Sequence, residues 1–159
     1  MEKVPFTEAG LVAIKAELSK LKSEDRPAVI KAIATAREHG DLSENAEYHA
    51  AREKQSFIEG RVAELEDVVS RAYVVELAQM RGDTVTFGTR VTVADEDTDE
   101  EKQFTIVGPY EADINAGLVS TASPLAKALI GKQIGDSAEV NTPGGQKSYE
   151  IIAIDVIKA

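Results

Sequence analysis

The chain has 159 residues, no cysteine, and 18 basic against 28 acidic side chains, which gives a net charge of −10. This length allows one ordinary domain or two small ones, and the lack of cysteine excludes disulfide bonds and thiolate metal sites. Both parts of the chain are acidic, with 11 basic and 15 acidic residues in 1–78 and 7 basic and 13 acidic residues in 79–159.

An acidic chain is a poor ligand for nucleic acid, because phosphates repel it. We therefore predict no tight binding of free nucleic acid by the isolated protein. The amino terminus lacks the apolar stretch of a secretion signal, and no run of residues reaches the length of a transmembrane helix. We expect a soluble, cytoplasmic protein that has no membrane partner.

Residues 7–39 carry the spacing of a long amphipathic helix. Thr7 provides an N-cap hydroxyl, and Gly40 follows His39 as a left-handed cap. Pro27 lacks the amide that a helix interior needs, so we expect a kink or a short break there. The apolar seam of this arm comprises Leu11, Ile14, Leu18 and Leu21 and then, after a slip in phase, Val29, Ile30 and Ile33.

Residues 44–75 form the second predicted helix, with apolar positions in alternating steps of three and four. The seam comprises Tyr48, Ala51, Gln55, Ile58, Val62, Leu65, Val69 and Ala72. The two arms are nearly equal in length and are joined by a short turn. This pattern predicts an antiparallel coiled-coil hairpin over residues 1–78.

The pattern changes near residue 79 to short alternating runs that are typical of strands. A single helix interrupts them, with Ser123 as N-cap, Pro124 at its first position and Gly131 at its end. One helix beside an antiparallel sheet predicts an α+β domain over residues 79–159. The predicted strands are 84–87, 90–94, 103–107, 118–120, 137–140 and 148–154, with turns at Gly88 and at Pro143-Gly144-Gly145.

The turn between the arms places two carboxylates, Asp41 and Glu44, three residues apart. One interpretation is a capping box, in which Asp41 caps the second helix and Glu44 reaches back. The other is a metal site, because carboxylate oxygens suit Mg²⁺, which prefers six oxygen ligands. One pair of carboxylates makes only half of such a site, so the remaining ligands would come from another protein.

Two stretches resemble a known family. Ala36-Arg37-Glu38-His39-Gly40-Asp41-Leu42-Ser43-Glu44-Asn45-Ala46-Glu47-Tyr48-His49-Ala50-Ala51-Arg52-Glu53 is similar to the signature of the bacterial Gre transcript-cleavage factors. Residues 123–132, Gly135-Asp136 and the turn at Pro143 resemble the carboxy-terminal domain of that family. The resemblance covers essentially the whole chain, and the small number of basic residues favours the less basic of its two main branches.

The resemblance implies a fold and a function. It implies a coiled-coil hairpin that enters the secondary channel of bacterial RNA polymerase, and an FKBP-like α+β domain that docks on the polymerase. Asp41 and Glu44 would help to hold a second Mg²⁺ in the polymerase active centre, where the backtracked RNA 3′ end is hydrolysed. The protein would then be an activator of the polymerase's own endonuclease activity and not an enzyme.

The resemblance also assigns supporting residues. Arg37 and Arg52 would contact the nascent RNA, although an exposed arginine paired with a neighbouring glutamate is an equally simple interpretation. Ser43, Asn45 and Tyr48 would support the acidic pair, and Ser123, Pro124 and Leu125 would contact the polymerase. The alternative function is a channel-binding interaction module or inhibitor without cleavage activity, in which the acids only cap the turn.

Overall fold

The computed structural model describes residues 2–77 and 80–157. They divide into two compact units. The first comprises Leu11–Ala72, together with the amino-terminal end, and the second comprises Lys3–Gly10 together with the chain from Tyr73 onward. No helix in the described ranges has the length and apolar character that crossing a membrane requires.

The helical unit consists of two arms. The first arm runs through α1 (Glu8–Lys20), a π-helical turn (Leu21–Asp25) and α2 (Arg26–Arg37). The second arm is α3 (Ala46–Arg71), whose 26 residues span about 39 Å at 1.5 Å per residue. Between the arms lies one short 3₁₀ turn (Leu42–Glu44).

A narrow apolar seam joins the arms. Its buried members on the first arm recur at steps of seven, eight and seven residues, and those on α3 at steps of seven, four, three and three. Two predicted seam positions are wrong, because Ile30 is 52% exposed and α3 buries Val68 in place of Val69. The buried seam residues are Ile14, Leu21, Val29 and Ala36 on the first arm and Ala51, Ile58, Val62, Leu65 and Val68 on α3.

The π-helical turn accounts for the step of eight. Arg26 donates its backbone N–H to the Leu21 carbonyl, five residues back, so one additional residue is taken into the turn. Pro27, which has no N–H to donate, lies at the start of α2. The chain remains helical throughout, so a π-helical turn takes the place of the predicted short break. The alternative, a kink at Pro27, stays a prediction.

Two ion pairs between the arms show the direction in which one runs relative to the other. Arg26 makes a bidentate contact with Glu59, at 2.7 and 2.9 Å, and Arg61 makes another with Glu17, at 2.7 and 3.0 Å. A later residue of the first arm therefore faces an earlier residue of α3, and the arms run antiparallel. The Arg61 guanidinium lowers the pKa of the Glu17 carboxyl. A coiled-coil supercoil stays a prediction.

The second unit is built on a five-stranded mixed sheet. Its strands are β3 (Thr89–Asp95), β4 (Glu101–Val107), β5 (Leu118–Ser120), β6 (Ser137–Thr142) and β7 (Gly145–Val156). They lie in the order β5-β4-β3-β7-β6. β5 runs parallel to β4, in place of the wholly antiparallel sheet predicted, and the other neighbouring pairs are antiparallel. A short helix, α4 (Pro124–Leu129), contributes Ala126 and Leu129 to the core.

Five of the six predicted strands are present, and the sixth, at 84–87, is not a strand. Val85 is nevertheless fully buried. Its N–H donates to the Lys132 carbonyl at 2.9 Å, and its carbonyl accepts from the Gly131 N–H at 2.8 Å. Its backbone is thus satisfied by the loop after α4 and not by a neighbouring strand. An FKBP-like classification of this unit stays a prediction.

The amino-terminal segment belongs to the second unit. β1 (Val4–Phe6) pairs with β2 (Ala72–Val74) in a small two-stranded sheet. Thr7 caps α1 as predicted, because its Oγ1 accepts the Gly10 N–H at 3.0 Å. Both the N–H and the hydroxyl of Thr7 donate to the Glu111 carboxylate, and both residues belong to the second unit.

Candidate functional site

The tip of the helical unit is the segment 38–45, between α2 and α3. Gly40 has φ 104°, the left-handed conformation predicted for it, and a glycine adopts this without steric cost. Asp41 then begins the 3₁₀ turn, and Asn45 leaves it with an extended backbone. None of the eight residues is buried, so hydrogen bonds and backbone geometry must order the tip in place of a core.

Asp41 is exposed and its carboxylate is bonded on one side. Its Oδ1 accepts the Ser43 N–H at 3.0 Å and the Ser43 hydroxyl at 2.8 Å. These two donors hold the pKa of Asp41 below its usual value, because they stabilise the charged form. The carboxylate therefore stays ionised, and Oδ2 is left for a ligand outside the chain.

Glu44 is exposed, and in the described part of the chain its carboxylate has no hydrogen-bond or ion-pair partner. The capping-box interpretation is therefore wrong: Asp41 caps the 3₁₀ turn, and the cap of α3 is Asn45, whose Oδ1 accepts the Tyr48 N–H at 3.0 Å. Asn45 also donates its Nδ2 to the Ala36 carbonyl at 2.7 Å. Sequence reasoning missed this second bond.

His49 contributes to the tip as well. Its Nε2 lies 3.2 Å from the Ser43 carbonyl. His39 lies more loosely beside Glu47, with 3.9 Å between Nε2 and Oε2. Each histidine thus contacts an exposed part of the tip, and neither is close to a set of metal ligands among the described residues.

Arg37 and Arg52 line one groove beside the tip. Arg52 donates to the Tyr48 hydroxyl at 2.9 Å, and its guanidinium carbon lies 5.8 Å from the centre of the Tyr48 ring. Arg37 is exposed, with no ion pair among the residues that the structure describes. Neither arginine is paired with a glutamate within residues 2–77 and 80–157, so the interpretation of each as half of an exposed ion pair is wrong. The rest of the groove is formed by Ile30, Ile33, Ala34, Tyr48 and Gln55.

As a metal site, the tip is incomplete by itself. Residues 2–77 and 80–157 contain no group of three or more histidine, aspartate or glutamate side chains placed to hold one ion. Asp41 and Glu44 offer carboxylate oxygens, which suit Mg²⁺, but two side chains cannot fill an octahedral shell. The pair could therefore bind Mg²⁺ only if a second macromolecule or several waters supplied the remaining ligands.

The three predicted docking residues lie at the start of α4. The Ser123 Oγ accepts the Ala126 N–H at 3.1 Å and donates to the Ser120 carbonyl at 2.8 Å, so it caps the helix as predicted. Pro124 is exposed at the first helical position, and Leu125 is half-buried against the core. Pro124 is thus the one of the three that presents an open surface.

Two family models match the chain over nearly its whole length. One, described as "Transcription elongation factor, N-terminal", matches residues 4–74. The other, "Transcription elongation factor, GreA/GreB, C-term", matches residues 80–156. The chain belongs to the GreA/GreB family of transcription elongation factors. The resemblance stated from the tip signature is therefore confirmed.

Curated relatives agree with this assignment. The chain is 62% identical to transcription elongation factor GreA of Rhodospirillum rubrum, over 97% of this chain and 98% of the relative. It is 64% identical to GreA of Ruegeria pomeroyi, over 98% and 99%. These identities confirm the GreA branch, the less basic of the two.

Solved structures of similar proteins include GreA factor homolog 1 (Gfh1) of Thermus thermophilus, which is 29% identical. It covers 97% of this chain and 99% of its own, at a TM-score of 0.45. A GreA/GreB factor of Nitrosomonas europaea is 21% identical, with coverage of 97% and 98% and a TM-score of 0.44.

Proposed function

We propose that this GreA/GreB family member inserts its helical arms, as a coiled coil, into the secondary channel of bacterial RNA polymerase. There it stimulates the polymerase's own Mg²⁺-dependent cleavage of backtracked RNA 3′ ends, in the cytoplasm. The observation that carries this proposal is the pair of exposed carboxylates at the tip. Glu44 has no partner among the described residues, and Asp41 is bonded through one oxygen only.

The pair fits a shared Mg²⁺ site. Both side chains are exposed and anionic, and the missing ligands would come from the polymerase. Mg²⁺ bound there would activate the attacking water and neutralise charge on the leaving oxygen. The role of this chain is to deliver two carboxylates at a fixed spacing, with Ser43 orienting Asp41 and keeping it ionised.

Arg37 and Arg52 are proposed to contact the RNA that emerges in the channel. They line the same groove, and Tyr48 fixes the guanidinium of Arg52 by a hydrogen bond and a ring contact. An arginine held in this way can bind a phosphate with little further loss of side-chain entropy. Arg37 makes no competing ion pair in the described ranges.

The second unit is proposed to provide docking affinity. Ser123, Pro124 and Leu125 form the start of a capped helix, and Pro124 offers a rigid, exposed apolar contact. An FKBP-like fold would not imply prolyl isomerase activity, because folds host unrelated functions.

Neutral isosteres of the two acids test the proposal. Asn can accept the Ser43 N–H as Asp does, and Gln at position 44 removes no contact within the described chain. We therefore expect Asp41→Asn and Glu44→Gln to unfold like the wild type. We expect each to reduce the rate of RNA cleavage in a stalled elongation complex by roughly a hundredfold, about 2.7 kcal/mol. Raising the Mg²⁺ concentration should restore part of the rate.

Glu38→Gln is the matched control, because Glu38 is an exposed acid of the same tip. It should cleave like the wild type. Equal activity of all three variants would refute the metal-ligand role and favour a channel-binding protein without cleavage activity.

A further inference from the structure

Asp41 and Glu44 lie on a tip that has no buried residue. Their positions must therefore be fixed by the bonds that hold the tip to the two arms. Within the described chain, the side chain of Asn45 is the one that hydrogen-bonds to both α2 and α3. It follows Glu44 directly in the chain.

The two bonds of Asn45 have different functions. Its Oδ1 accepts the Tyr48 N–H and caps α3, a task that Ser or Asp performs equally well. Its Nδ2 donates to the carbonyl of Ala36, in the last turn of α2. Ser and Asp have no amide to donate, so only the second bond depends on asparagine.

The second bond contributes little to the stability of α2. The Ala36 carbonyl also accepts the His39 N–H, at 3.1 Å, so it remains paired when the Asn45 bond is lost. The Asn45 bond instead connects the end of α2 to the residue beside Glu44. Its loss would leave the chain between Gly40 and Glu44 held at the α3 end alone.

We propose that Asn45 is a positioning residue whose side-chain amide ties the end of α2 to the start of α3 and thereby sets the spacing of Asp41 and Glu44. The amide is bonded to backbone at both ends and contacts neither carboxylate. Its effect on cleavage is therefore indirect. The cleavage part of its test rests on the proposed function of the acidic pair, and the NMR part, which measures the order of the tip, does not.

The test uses Asn45→Ser and Asn45→Asp in the full-length protein. Both keep a cap for α3 and lose the donor to Ala36, and the second adds a charge that the first does not. Asn115→Ser is the matched control, because Asn115 is an exposed asparagine of the second unit whose side chain makes no hydrogen bond within the described residues.

Two measurements are made on each variant. NMR relaxation of backbone amides 40–44 reports order of the tip, and RNA cleavage in a stalled elongation complex is measured against factor concentration. We expect both Asn45 variants to melt near the wild type and to show greater motion of residues 40–44. The maximal cleavage rate should fall roughly tenfold or more, with an unchanged half-saturating concentration, because docking is intact. Asn115→Ser should match the wild type in both measurements.

Wild-type order of residues 40–44 in Asn45→Ser and Asn45→Asp would overturn the proposal, as would a wild-type maximal rate in both. Asp41→Asn and Glu44→Gln are run in the same cleavage assay. If they cleave like the wild type, the proposed function fails, and the relaxation measurement alone decides whether Asn45 orders the tip. If they are impaired while the Asn45 variants are not, only the positioning inference fails.

Discussion

Ser43 directs two donors to one oxygen of Asp41, so the ionisation of Asp41 depends on this neighbour. Both bonds stabilise the charged form and lower its pKa. On acidification the carboxylate therefore keeps its charge to a lower pH than an isolated aspartate. Because the side chain is exposed, this affects the availability of a ligand much more than it affects folding.

We expect Ser43→Ala to raise the pKa of Asp41 toward the ordinary value of about 3.9, because it removes the hydroxyl bond and keeps the amide bond. As the pH falls, the variant should lose the charge of Asp41 earlier than the wild type. Carboxyl ¹³C NMR between about pH 2 and 6 measures both titrations. Superimposable curves would show that the hydroxyl contributes nothing to the ionisation of Asp41.

The same residues show how far the sequence could predict the site. The acidic pair at a turn, and Gly40 in the left-handed region, followed from residue type and spacing. The helix cap did not, because Asp41, Ser43 and Asn45 are all good caps within five residues, and propensity cannot choose among them. The bond from Asn45 to Ala36 depends on how the arms approach each other, which local sequence does not encode.

At the scale of the elements, α1 and α3 each contain a glycine, one crowded by a neighbouring side chain and the other in open space. A Cβ at Gly10 would overlap the Glu111 carboxylate, which accepts two bonds from Thr7. A Cβ at Gly60 would meet no atom within 4 Å. The same substitution should therefore have opposite effects at the two positions.

We expect Gly60→Ala to stabilise the protein by about 1 kcal/mol through helix propensity. Gly10→Ala should destabilise it by about 1 kcal/mol, because the lost bonds to Glu111, at about 1 kcal/mol each, outweigh a similar gain in propensity. Urea denaturation of the full-length protein measures both changes. Stabilisation by Gly10→Ala would mean that Glu111 moves aside and keeps its bonds to Thr7.

Most elements were predictable from the sequence, and the exceptions have physical reasons. Pro27 correctly marked an irregularity, but the π-helical turn that ends at Asp25, two residues earlier, absorbs the phase slip without breaking the helix. Val85 has the pattern of a strand but bonds to the loop after α4, a pairing distant in sequence. The attachment of Thr7 to Glu111 spans 104 residues, and neither residue type signals it.

At the scale of the whole molecule, the net charge of −10 predicts weak contact with free RNA. We expect no binding of the isolated protein to RNA at physiological salt in a filter or anisotropy assay. Within the polymerase complex, Arg37→Glu and Arg52→Glu should each weaken cleavage of backtracked RNA by roughly tenfold, about 1.4 kcal/mol.

Lys54→Glu serves as the control for this prediction. Lys54 lies two residues after Arg52 on α3, about 200° around the helix and therefore away from the groove. The variant reverses a charge there. An equal effect of Lys54→Glu would attribute the loss to overall charge. Tight binding of the isolated protein to RNA would reveal a basic surface that the charge distribution does not suggest.

The pairing of β1 with β2 joins two strands that are separated in sequence by an insertion of 65 residues, 7–71, which carries the helical arms. During synthesis, β1 leaves the ribosome well before its partner strand exists, whereas the two helical arms between them can pair as soon as both are made. Folding of the helical unit brings the ends of this insertion together and so shortens the loop that β1 must close. The order of synthesis thus favours completion of the arms before the pairing of β1 with β2.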